Sequence, residues 1–117
     1  MNYSTRKVSG EQITILANTH FTAISKKVAK SIATGGIIKA GTVINADGTV
    51  LANNAVASAI TKQVLGIVLY DVDIANEAGA NVVIPVLTHG TVKASVAQGS
   101  TAYSADVKAK LPQILFV

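Results

Sequence analysis

Residues 64–92, VLGIVLYDVDIANEAGANVVIPVLTHGTV, constrain this chain more than any other stretch. They hold two strongly apolar runs, 64–72 and 82–92, rich in Val, Ile and Leu. Such side chains fit a pleated, half-buried surface better than the outside of a helix. The intervening residues 73–81 carry Asn, Asp and Gly, which tolerate turn geometry, so the pair reads as a β-hairpin with a long loop. Neither run alternates cleanly. Val64, Leu65, Ile67, Val68, Leu69 and Tyr70 place apolar groups on both faces, and a strand of that kind needs cover on both faces, from its own chain or from a neighbouring subunit.

Composition sharpens that choice. The 117 residues suit one domain, and half of them are apolar, yet only three Tyr and two Phe supply aromatic surface. The core is therefore expected to be aliphatic. Charged residues make up only 14%, which points to apolar surface closed by assembly. There is no Cys, so no disulfide framework, thiol nucleophile or Cys-ligated zinc is available. No run approaches the roughly 18 apolar residues of a membrane span, and residues 1–12 lack the apolar centre of a signal peptide, so a cytosolic product without membrane partners is expected.

The organisation expected is an N-terminal arm, residues 1–12, followed by a single β-rich domain, residues 13–117. The arm is polar, basic and aperiodic, with nothing to order it on its own. Residues 13–17 suit a short strand. Phe21, Ile24, Val28 and Ile32 recur at helical spacing, with Lys26, Lys27 and Lys30 off that stripe and Gly35–Gly36 as a stop, although the same stretch half-alternates as a strand. From residue 37 the pattern is β, with a bend at Gly41, a turn at residues 45–48, a brief return over 49–52 and a surface loop over 53–62. Pro85 lacks an amide donor and is expected at an edge or bulge. A short helix capped by Ser104 is expected within residues 100–109, ended by Pro112. Residues 114–117 read as a final strand, with Leu115 or Phe116 fully buried.

Charge is uneven. Residues 1–39 hold Arg6, Lys7, Lys26, Lys27, Lys30 and Lys39 against Glu11 alone, within a net charge of +4 for the whole chain. A solvated face, an acidic protein partner and nucleic acid all fit such a bias. Single-strand readers interleave cations with exposed aromatics, and here only Tyr3 and Phe21 are present, so nucleic acid is the weaker partner. The nearest approach to a chemical site is Asp71, Asp73 and His89. Two carboxylates on one face of a continuing strand suit a hard cation or general acid–base work. The plainer reading, preferred here, has the carboxylates accept loop hydrogen bonds and His89 end its strand. His20 has no partner in sequence. No phosphate loop, dinucleotide motif, catalytic set, metal site or cofactor is expected.

Five segments in order, IIKAGTVI (37–44), the turn at Asp47-Gly48, GIVLYDVD (66–73), VVIPVLTHG (82–90) and LPQILFV (111–117), resemble tailed-phage head decoration proteins of the head-fibre type, related to lambda-type head decoration protein. The resemblance covers residues 35–117. It implies a small, mainly β, β-clip-like fold with one or two short helices, forming a homotrimer on the exterior of the mature head and stabilising it. The partner implied is the major capsid protein, and no catalytic residue is transferred. Some head-fibre chains carry a long projecting C-terminal extension; none is present here, so plain decoration is expected. Tyr3, Arg6, Lys7 and Val8 of the arm are the expected capsid contacts, the cations suiting an acidic shell. A basic nucleic-acid-associated protein is the second reading, and a small oligomeric β enzyme the third.

Overall fold

The structure is a computed structural model and describes residues 15–17, 20–74, 79–99 and 101–117. Among these described residues it is mainly β, with two open sheets and two short helices. The strands are β1 (Thr22–Ala29), β2 (Ile37–Ile38), β3 (Val43–Asn45), β4 (Val50–Leu51), β5 (Val64–Val68), β6 (Val72–Asp73), β7 (Asn81–Val92) and β8 (Ile114–Phe116). The helices are α1 (Ala94–Ala97) and α2 (Ala105–Ala109). The larger sheet runs β1-β7-β5-β3-β4 with β8 also on β7; the smaller pairs β2 with β6. Among the described residues no helix is long and apolar enough to cross a membrane.

β7, with 12 residues, organises the larger sheet. One flank carries β1, and beyond it Ile15 and Ala17, where Ala17 N–H donates to Thr91 O (2.8 Å) and Lys93 N–H to Ile15 O (2.7 Å). The other flank carries β5, antiparallel at Ile67↔Leu87 and Val68↔Val86, then β8, parallel from Gly90↔Ile114 to Val92↔Phe116. The two apolar runs are thus antiparallel partners, but not a simple hairpin. Val72 and Asp73, expected in strand end and loop, form β6 against β2, and β7 meets β1 along most of its length before β5 joins it.

Most of the apolar groups on both faces of β5 and β7 find cover within the chain, Val83 at 60% exposed being left outside. Ile67, Leu87 and Val92 face one core with Val43, Tyr103, Val107 and Ile114. Val68, Val82, Ile84 and Val86 face a second core with Val28, Ile38, Ile44 and Ile74. Strand period two sends consecutive Ile67 and Val68 to opposite sides. A bulge keeps β7 in step: Ala23 pairs with Leu87 but Thr22 with His89, and the residue skipped between them returns Val92 to the side of Leu87. Full burial of each such side chain contributes about 1.5–3 kcal/mol.

Several expectations are corrected. Residues 22–29 form a strand, not a helix: pairing along β7 overrides the helical spacing, and of the stripe only Val28 is buried while Phe21 and Ile24 stay exposed. Gly35–Gly36 end no helix. They sit at φ +62° and +79° in a two-residue turn in which Thr34 and Ile37 exchange hydrogen bonds (3.0 and 3.2 Å), the conformation that favours paired glycines. Pro85 lies inside an interior strand, not at an edge. Its carbonyl accepts from Leu69 N–H (3.1 Å), so its nitrogen faces the same flank, where the β5 strand has ended at Val68 and no donor is required. At the C-terminus Ile114 is buried, Phe116 is half-buried and Leu115 is exposed, so neither Leu115 nor Phe116 is the fully buried anchor expected.

Other expectations hold. Gly48 N–H donates to Asn45 O (2.9 Å) in the turn between β3 and β4, and Ser104 caps α2, its hydroxyl accepting from Val107 N–H (3.1 Å). The bend at Gly41 separates β2 from β3. α1 was not anticipated, because four residues of ASVA show no period.

Candidate functional site

Asp71, Asp73 and His89 do not come together as the chemical cluster that was the less favoured reading. β5 stops at Val68 and β6 starts at Val72, so Asp71 and Asp73 do not share a continuing strand. Asp71 holds a loop, as the preferred reading has it: its Oδ1 accepts from Ala40 N–H at 2.7 Å. Asp73 lies on β6 opposite Ile37. His89 ends no strand, since β7 continues to Val92; it sits on an exposed position opposite Thr22. His20 is exposed just before β1. Among the described residues no three His, Cys, Asp or Glu side chains gather where they could hold a metal ion. Tyr3, Arg6, Lys7 and Val8 lie outside the described residues.

A cleft of about 610 Å³ lies between the β2–β3 bend, β4 and α1. Its walls combine apolar Val50, Leu51 and Val96 with Lys39, Asp71 and Asn53. That volume lies in the range of small-molecule pockets. Its polar groups, however, are largely engaged in holding the walls. Asn53 Nδ2 donates to the carbonyls of Gln98 (3.1 Å) and Thr101 (3.0 Å), tying the segment after α1 to the loop after β4. Thr42 Oγ1 donates to Lys39 O at 2.8 Å. Among the described residues of its lining, Thr42 Oγ1 is taken up by Lys39 O and Asp71 Oδ1 by Ala40 N–H, and the cleft presents burial with a Lys–Asp charge pattern.

Beneath the cleft, Gly41 joins three elements. Its N–H donates to Val68 O (2.8 Å), its carbonyl accepts from the buried Tyr103 hydroxyl (2.6 Å), and its α-carbon packs against the carbonyl end of α1 at Ala97. Gly41 is legible as a bend. Tyr103, 62 residues away, carries no local signal of its partner.

Burial pushes the Tyr103 phenol well above its ordinary range. A phenol with a raised folded-state pKa contributes stability that is intact below its unfolded pKa of about 10 and is lost as pH rises beyond it. Tyr103→Phe is therefore expected to cost about 1–3 kcal/mol at neutral pH, through the hydrogen bond lost to Gly41. The gap between the two proteins should narrow above pH 10. Parallel urea titrations across that range check this; a gap that widens contradicts it.

Comparison with protein-family models, with curated proteins and with solved structures returned no match.

Proposed function

We propose that the chain is a head decoration protein of a tailed phage, made in the host cytoplasm, which binds the exterior of the mature capsid as a homotrimer and stabilises it without catalysis. The observation that carries the reading is where the resembling segments fall. Residues 37–44 supply β2 and β3, residues 66–73 supply β5 and β6, residues 82–90 lie in β7, and residues 111–117 supply β8. These strands pair with one another, β2 with β6, β3 with β5, and β7 with both β5 and β8. The segments that carry the resemblance are framework, which suits a protein whose function is its shape.

The two-faced strands find most of their cover within the chain. Support for a trimer comes from the resemblance and from apolar side chains left outside, Leu115 and Val117 on β8 and its end, each more than 60% exposed. Light scattering on the purified protein should give three times the 12.0 kDa chain mass. The proposed capsid contact is residues 1–12, through Tyr3, Arg6, Lys7 and Val8. Three copies of a weak contact on one trimer gain strength through effective concentration. Removing residues 1–12 should leave mass and melting unchanged and abolish co-sedimentation with undecorated heads. Undiminished co-sedimentation would place the contact elsewhere.

A further inference from the structure

We propose that the trimer closes by insertion, Leu115 and Val117 of one copy seating in the cleft between β4 and α1 of the next. The inference rests on the trimer reading and names the two surfaces that make the contact. A ring of three requires a heterologous contact, in which one patch meets a different patch on the neighbour. The described residues supply two apolar patches of unlike shape, one raised and one hollow. Strand alternation turns Ile114 and Phe116 of β8 toward the first core and Leu115 and Val117 away from it, where they are 61% and 63% exposed. The cleft carries Val50 on one wall and Val96 on the other, 42% and 41% exposed, over buried Ile15, Leu51 and Ala97.

One copy cannot fill its own cleft in this way. Ile15, Leu51 and Ala97 belong to the same core that Ile114 enters, and Leu115 and Val117 point away from that core. Turning them inward would strip β8 from β7 and break the bonds of Val117 to Val92 O (2.8 Å) and Ala94 N–H (3.0 Å). A second copy covers both patches with one contact, whereas a capsid segment would cover one of them. The cleft, at about 610 Å³, has room for both side chains. Charge agrees with this occupant. Thr91 lies beside Leu115 in the β7–β8 register, which brings Lys93 beside Val117. Among the described residues Lys93 forms no ion pair, and Asp71 on the cleft rim spends Oδ1 on Ala40 N–H and leaves Oδ2 open. Lys93 of the inserting copy thus has a carboxylate to meet. Gln113, two residues before Leu115 on the same face, offers a neutral acceptor for Lys39 on that rim.

The test damages one patch at a time in the full chain, with Leu115→Asp on the raised patch and Val96→Asp in the cleft. Light scattering should find each variant alone at the 12.0 kDa chain mass, its self-association weakened at least about a hundredfold. Mixed one to one at millimolar concentration, the two should form a dimer and nothing larger. One contact then joins an intact Leu115 and Val117 to an intact cleft, and no second contact can. Lys93→Gln and Asp71→Asn should each weaken the trimer about two- to fivefold and reduce its salt dependence. Should Val96→Asp not fold, Val50→Asp takes its place from the opposite wall. A trimer of undiminished mass in both patch variants overturns the insertion and leaves the trimer reading standing. A wild-type chain that stays single at millimolar concentration overturns both. A mixture that stays monomeric overturns the insertion too. So does a Val96→Asp protein that keeps its trimer and no longer binds undecorated heads, which would give the cleft to the capsid.

Discussion

Gly41→Ala is expected to leave little or no folded protein. Gly41 sits at φ +87°, and a Cβ built there falls on the Ala97 carbonyl, 2.6 Å from its carbon. The obstacle is backbone, so no rotamer change relieves it. The chain must pull α1 off the cleft floor or draw Gly41 away from Val68 and Tyr103, which hold it at 2.8 and 2.6 Å. Positive φ in a residue other than glycine costs about 1–3 kcal/mol. Overpacking adds about 1–3 kcal/mol and each broken buried hydrogen bond about 1–3 kcal/mol more. The total reaches the ~5–15 kcal/mol that holds a domain together. Gly99→Ala is the matched control. Gly99 is at φ +63° with nothing within 4 Å of a built Cβ, so it incurs the backbone strain alone. Urea midpoints should separate the two variants widely. Equal midpoints would mean that α1 gives way freely and that Gly41 is not the joint described.

Deleting residues 114–117 should also unfold the protein. Ile114 is 5% exposed within the first core, and Phe116 packs on Tyr103 with ring centroids 5.1 Å apart. The segment also closes the end of β7: Val117 N–H donates to Val92 O (2.8 Å), and Val117 O accepts from Ala94 N–H (3.0 Å) at the start of α1. Losing one buried and one half-buried large side chain with these bonds costs about 3–6 kcal/mol, before counting the core surface newly exposed around Val92 and Val107. Leu115→Ser, by contrast, alters a side chain that is 61% exposed in the single chain, and should shift the chain's own folding stability by no more than about 0.5 kcal/mol, any larger effect being confined to the trimer. A soluble, cooperatively melting truncation, or a Leu115→Ser protein that unfolds with it, would contradict this account of the tail.

Local chemistry made part of this fold legible. The β-branched runs of β5 and β7, the bend at Gly41, the Asn45–Gly48 turn and the Ser104 cap each depend on residues within a few positions of one another. β1 was less so, because FTAISKKVAKSIA satisfies both periods and only its partner β7 decides between them. The division of the apolar runs between two cores was hidden for a similar reason. It depends on a bulge in β7 that is defined by pairing with Thr22 and Ala23, about 65 residues earlier. Pro85 misled because the rule for proline concerns the flank its nitrogen faces, and pairing sets that flank. The candidate site was least legible. Asp71 and His89 are close in the sequence, yet β6 and the length of β7 separate their roles, while Gly41 and Tyr103 are distant in the sequence and bonded in the fold.

The central claim, that this chain decorates a phage head, is tested most directly by electron cryo-microscopy of undecorated, expanded heads incubated with the purified protein. Decoration predicts density of three chains at each local threefold position on the outer surface, saturable and reversed by removing residues 1–12. Heads that stay bare at saturating protein, while the protein remains folded, would contradict it.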